Sequence, residues 1–204
     1  QSTKIYDRSG EHLLYEVHGL QRRTIIPLEQ IPEYARWATI LVEDKNFYTH
    51  AGFDLKGIMR AVYKDILTLS PSQGGSTLTQ QLIKNALLSG EKRLSRKIKE
   101  FVLAIEIESK YTKDEILQMY LNEAPYGGTA WGVEAASEIY FGKKVKDLDL
   151  IESAILGGLP QSPSRYSPYS SDSKAYVDRT KQVFRRMRED GYITTDQEKN
   201  ANAE

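Results

Sequence analysis

Hydrophobic positions recur at helical spacing along most of this chain. Ala35, Ala38, Leu41 and Val42 form an apolar stripe that follows Pro32, a residue suited to a first helical position, and runs into Glu43-Asp44. Leu55–Leu69 reads as a second helix, ended by the loop Ser70-Pro71-Ser72-Gln73-Gly74-Gly75. Thr77 and Gln80 have the T-x-x-Q spacing of a capping box, so a helix opens there with Gln80, Gln81 and Lys84 opposite Leu78, Leu82 and Ile83. Leu94, Ile98, Phe101, Val102 and Ile105 give a strong amphipathic pattern. Thr112 and Glu115 cap Ile116–Asn122, and Val133–Phe141 ends at Gly142. Asp149 with Glu152 starts a helix that stops before Pro160, and Val177, Thr180, Val183, Phe184 and Met187 mark another, closed by Gly191. Strand signals are confined to the N-terminus. Lys4–Tyr6 and Leu13–Val17 flank a turn at Asp7-Arg8-Ser9-Gly10, and Thr24–Ile26 predicts a further strand. The pattern predicts a mainly α domain over residues 31–204, led by a small β-hairpin element over residues 1–30.

Composition narrows the chemistry. A chain of 204 residues supports one well-cored domain. Lys+Arg and Asp+Glu both number 28, so no global field favours nucleic acid. Cysteine is absent, which excludes disulfides and thiolate metal sites, and His12, His18 and His50 form no metal motif. No apolar run approaches the roughly 18 residues of a membrane span. The chain starts abruptly at Gln1 in a strand-like segment, which suggests an upstream portion.

Charge is locally uneven, and that matters more. Lys92, Arg93, Arg96, Lys97 and Lys99 crowd one stretch around Glu100, with Arg96 and Lys97 one turn before that carboxylate. Nearby cations keep Glu100 ionised. An ordinary surface ion-pair cluster has this form too, but five cations exceed what two acids need, and a diphosphate ligand accounts for the surplus. Gly74-Gly75 before a helix start, with Lys84 two turns on, reads as an anion site. Glu43 follows an apolar helix, where partial desolvation lifts a carboxylate toward general-base range; the plain alternative is a solvated helix end. Tyr120–Gly128 breaks a helix into a Pro/Gly loop, and Tyr140-Phe141-Gly142-Lys143 reads as a core aromatic pair with a glycine stop.

Together these segments resemble the peptidoglycan glycosyltransferase domain of class A penicillin-binding proteins, the family 51 glycosyltransferases. Five motifs stand in family order. They are Glu43-Asp44-Lys45-Asn46-Phe47-Tyr48-Thr49-His50-Ala51-Gly52, the run Gly74–Asn85, Arg96-Lys97-Ile98-Lys99-Glu100, Ile116–Asn122 with Tyr140–Lys143, and Leu159–Pro168. The resemblance implies a lysozyme-like helical fold and a reaction on lipid II. In it the 4-hydroxyl of an incoming disaccharide displaces undecaprenyl diphosphate with inversion, giving a β-1,4 glycan strand. It further implies Glu43 as the base and Glu100 as the second catalytic glutamate, orienting cations or a divalent ion (Mg2+ or Mn2+) near the diphosphate. Ser76, Lys84, Lys92, Arg96 and Lys97 are implied to hold the diphosphate, with Asp44, Thr77, Gln80, Gln81, Asn85 and Asn122 along the substrate site. A diphosphate leaves readily, so the chemistry asks for positive charge rather than a protonated acid.

Moenomycin is the implied inhibitor of this cleft, and the extracytoplasmic face of the bacterial cytoplasmic membrane the implied location. Met59–Leu69 either dips into the membrane or faces the core. In the family an anchor precedes and a transpeptidase domain follows, so the chain reads as an excised domain. It departs from the usual pattern at Lys45 and Lys92, where Arg is common, and at Gln118, where Glu is frequent. A muramidase or lytic transglycosylase is the alternative, but it requires a protonated acid in apolar surroundings, which the cations beside Glu100 oppose. A non-catalytic binding module explains the basic patch without the glutamate motif.

Overall fold

The computed structural model describes residues 3–6, 13–17, 24–54, 75–88, 93–172 and 174–203. Strands β1 (Thr3–Tyr6) and β2 (Leu13–Val17) pair antiparallel, as the alternating N-terminal pattern predicts. The helices are α1 (Glu33–Glu43), α2 (Leu78–Leu87), α3 (Arg93–Lys110), α4 (Lys113–Glu123), α5 (Val133–Phe141), α6 (Leu150–Gly158), α7 (Pro163–Tyr166), α8 (Ala175–Glu189) and α9 (Thr195–Ala201). A two-stranded ribbon, β3 (Pro125–Gly127) with β4 (Ala130–Trp131), joins α4 to α5. Mainly α architecture is therefore as expected. The expected helix at Leu55–Leu69, its membrane-facing alternative and most of the loop after it lie outside the described residues.

Local rules place most boundaries. Thr112 and Glu115 bond reciprocally at the start of α4, as do Asp149 and Glu152 at α6. Gly142 ends α5 in the left-handed region at φ 68, where an L side chain is strained. Pro32 is the cap of α1 rather than its first turn.

The α1 helix lies between two apolar cores. Ala35 and Ile40 join Leu78, Leu82, Ile116, Leu117, Tyr120 and Leu121 on one side. Ala38 and Leu41 join Ala154, Val183, Phe184 and Met187 on the other. Gly157 permits this close packing of α6 on α1, since a Cβ there would stand 2.6 Å from Ala38 Cβ. A helix covered on both sides delivers its last residue, Glu43, into the interior.

Two expectations give way. Thr24–Ile26 forms no strand; Ile26 N–H donates to Asn122 Oδ1 and Asn122 Nδ2 donates to Ile26 O, both at 2.9 Å, so a side chain takes the place of a partner strand. On α3 the apolar stripe faces outward, with Ile98 63% and Val102 58% exposed, while Glu100 and Ala104 are buried. The inward face carries Glu100 beside Leu103, Ala104 and Ile107, so the helix has apolar residues on both sides and the stripe alone does not identify the buried one.

Candidate active site

Glu43 and Asp44 are neighbours in sequence, but α1 ends between them and their side chains part. Asp44 is buried and accepts from Leu78 N–H at 3.0 Å at the start of α2. His50 Nδ1 accepts from Gly52 N–H at 3.2 Å, so the ring proton sits on Nε2, which donates to both Asp44 oxygens at 2.9 Å. Thr77 Oγ1 donates to Gly52 O at 2.8 Å and accepts from Gln80 N–H. An internal carboxylate already occupies the first N–H of α2, one of the donors expected to face an anion there. Asp44 and Thr77 thus fix where α2 begins.

With α2 fixed, its next turn reaches Glu43. Gln81 Nε2 donates to Glu43 Oε2 at 3.0 Å, and Tyr120 Oη donates to Gln81 Oε1 at 3.3 Å, which sets the amide orientation. Arg179 Nη2 on α8 donates to Glu43 Oε1 at 2.9 Å. The Glu43 side chain is only 4% exposed. Burial pushes its pKa above the usual carboxylate value, opposed by the Gln81 hydrogen bond and by the charges of Arg179 and Lys84. Tyr126 lies in the field of Glu43 with its hydroxyl buried and without a hydrogen-bond partner among the described residues.

The second carboxylate has different company. Glu100, 2% exposed, takes Lys97 Nζ on Oε2 at 2.7 Å and faces Arg96 Nε at 3.2 Å from Oε1, an ion pair without hydrogen-bond alignment. Lys97 Nζ also donates to Ser76 Oγ at 2.6 Å. Lys84, on the exposed side of α2, feels both glutamates. Partial burial lowers its pKa, with Glu100 and Glu43 opposing and Lys97 and Arg96 adding to the depression. Ser76, Arg96, Lys97 and Glu100 are thus brought together, with Lys84 in the field of both Glu100 and Glu43. Gln80 is buried and Asn85 partly buried on α2. Lys92 lies outside the described residues.

Asn122, expected along the substrate site, is bonded within the chain. Its amide bridges Ile26 N–H, Ile26 O and Gln118 O, so both N–H groups are engaged in holding the segment before α1. Gln118 adds a bond from Leu28 N–H at 2.8 Å. Both are structural latches. For a divalent ion, Glu100 offers one carboxylate whose oxygens already face cations, and no group of three or more metal-ligating side chains occurs among the described residues. The donor set therefore does not fit a protein-held ion.

Arg179 is the residue that sequence reasoning missed. An arginine among the four on an amphipathic helix reads as solvated. The available signal was its i+1 and i+4 neighbours, Thr180 and Val183, which mark an inward-facing sector of α8.

A largely helical domain in which two glutamates are buried at neighbouring helix surfaces thus defines the fold and site. The family model described as Transglycosylase matches residues 10–188, and the chain belongs to that family. Penicillin-binding protein 1A of Clostridium tetani is 45% identical over 197 residues, 93% of this chain and 25% of that protein. Penicillin-binding protein 1A of Aquifex aeolicus is 43% identical over 97% of this chain and 27% of that protein. Penicillin-binding protein 1F of Bacillus subtilis is 44% identical over 95% of this chain and 27% of its own length. The chain therefore spans about a quarter of the length of these relatives. A crystal structure of Penicillin-Binding Protein 1A from Haemophilus influenzae superposes with a TM-score of 0.57 at 26% identity, covering 100% of this chain and 20% of that one.

Proposed function

We propose that this chain is an inverting peptidoglycan glycosyltransferase that polymerises lipid II at the extracytoplasmic face of the cytoplasmic membrane. Residues 31–204 are the catalytic domain and residues 1–30 lead into it. The observation that carries the reading is the pair of N–H donors on the Glu43 oxygens, one from Arg179 and one from Gln81. Donors on both oxygens favour the ionised form, which can accept a proton. Glu43 takes the proton of the incoming 4-hydroxyl as that oxygen bonds to the anomeric carbon of the growing strand. The bond from that carbon to the diphosphate oxygen breaks, with inversion, and undecaprenyl diphosphate departs.

Lys84, Arg96 and Lys97 supply the positive charge that develops a partner as the diphosphate leaves. Glu100 holds Arg96 and Lys97 in place as the second catalytic glutamate. The outward Ile98, Phe101, Val102 and Ile105 stripe supports contact with a membrane surface, and no helix among the described residues is long and apolar enough to cross one. A muramidase would need a protonated acid. Glu43 holds an N–H donor on each oxygen, which presents it as an acceptor, and Glu100 is committed to Lys97 and Arg96, so neither is arranged as the proton donor a muramidase needs.

Incubation with purified lipid II, with and without moenomycin and beside Glu43→Gln, tests the reading. Muramidase-sensitive strands that disappear with inhibitor or substitution are expected. Shortening of preformed glycan in place of polymerisation would overturn it in favour of the hydrolase.

A further inference from the structure

A general base must rest ionised, yet Glu43 ends α1, where burial and the negative end of the helix dipole both oppose its charge. We propose that Arg179 is the positioning residue for this base, holding the Glu43 carboxylate ionised and in one orientation through the bond from Nη2 to Oε1. The proposal rests on the reading of Glu43 as base and adds a residue 136 positions away.

Arg179 is itself held on every side. Nε donates to Gly158 O at 3.2 Å, Nη1 donates to Gln182 Oε1 at 2.9 Å, and the guanidinium lies over the Tyr166 ring at 5.3 Å. Its side chain is buried, unlike the cations on the rim, so it is committed to Glu43 and not to a diphosphate. Gly158 makes the space: a Cβ there would stand 3.0 Å from Arg179 Cγ. Gln81, oriented by Tyr120, holds the other oxygen. One donor on each oxygen fixes the plane of the carboxylate and leaves lone pairs free to accept a substrate proton.

The groups facing Glu43 are Arg179 from α8, Lys84 from α2, Tyr120 from α4 and Tyr126 from β3. Burial raises both tyrosine pKa values, so those rings stay neutral. Only the two cations and the Gln81 amide oppose the burial of Glu43. Loss of Arg179 therefore lifts the Glu43 pKa further, and each unit of rise removes up to about tenfold of the ionised base on the acid side.

The test is the pH profile of kcat/KM for lipid II polymerisation in wild type, Arg179→Met, Arg179→Lys and Gly158→Ala. Arg179→Met is expected to move the acid limb to higher pH. Arg179→Lys, which keeps charge but loses the planar fork, is expected to lower the plateau with the limb near that of wild type. Gly158→Ala improves helix propensity while crowding Arg179, so a lowered plateau with unchanged Tm is expected. Should Arg179→Met fail to fold, the other two variants decide. Wild-type profiles in every folded variant would overturn the proposal. Normal turnover by Glu43→Gln would instead remove Glu43 from the base role, so the two failures are distinguishable.

Discussion

The side chains of Glu43 and Glu100 are both almost wholly buried, and the contrast between their partners underlies the different roles proposed for them. Glu43 has a single cation in hydrogen-bond contact and a neutral amide on its other oxygen. Its burial is undercompensated, and its pKa rises. Glu100 has a cation at each oxygen, both carried one turn before it on its own helix. Burial alone does not make a base; the count and charge of the donors decide whether a carboxylate takes protons or organises cations.

Replacing each carboxylate tests that contrast, and the largest effect falls on Glu43. Glu43→Gln keeps the volume and the bond to Arg179 but removes the proton acceptor, so turnover is expected to fall about 10²- to 10⁴-fold with the far-UV spectrum unchanged. The proposed base works deprotonated, and burial holds the folded pKa of Glu43 above the ordinary 4.5. Activity should therefore rise with pH through a limb above about 4.5, and a limb at or below that value would remove the burial argument.

Glu100→Ala is expected to come next, by a different route. It leaves Arg96 and Lys97 facing each other beside a small cavity, at a cost of about 1–3 kcal/mol. For a chain of this size that lowers Tm by several degrees. The Michaelis constant for lipid II should rise more than in Glu43→Gln. A stable Glu100→Ala protein with unchanged KM would show that the cations need no organiser.

Lys84 belongs to the cationic side of the comparison. Lys84→Ala removes one charge from the rim without emptying the core, so binding of undecaprenyl diphosphate is expected to weaken by about tenfold, about 1.4 kcal/mol. Binding of a diphosphate-free glycan should change little. Equal losses for both ligands, read by titration calorimetry, would place Lys84 on the sugar path.

Much of this was legible in the sequence because it is local. Helical spacing and capping pairs such as Thr112 with Glu115 act within a turn or two, and the Glu43 and Glu100 segments each carry their own charge pattern. What was not legible is what the fold brings from afar. Arg179 acquires its role only when α8 packs beside α6 and Gly158 leaves room for it. The α3 stripe misleads for the converse reason: that helix has apolar residues on both sides, and periodicity does not report which side the interior has claimed.

Asn122 gives the smallest expected effect on turnover and the sharpest control. Its amide replaces a strand partner for Ile26 and ties α4 to the segment that leads into α1. Asn122→Ala leaves the buried N–H and C=O of Ile26 without partners, which costs about 1–3 kcal/mol for each group that finds no replacement. None of its hydrogen bonds reaches Glu43, Glu100 or the cations around them. The expected result is a lower midpoint in urea with kcat and KM of the folded fraction near wild type. A loss of kcat in fully folded protein would return Asn122 to the substrate site and show that the entry segment of α1, and not only its last residue, sets the geometry of the base.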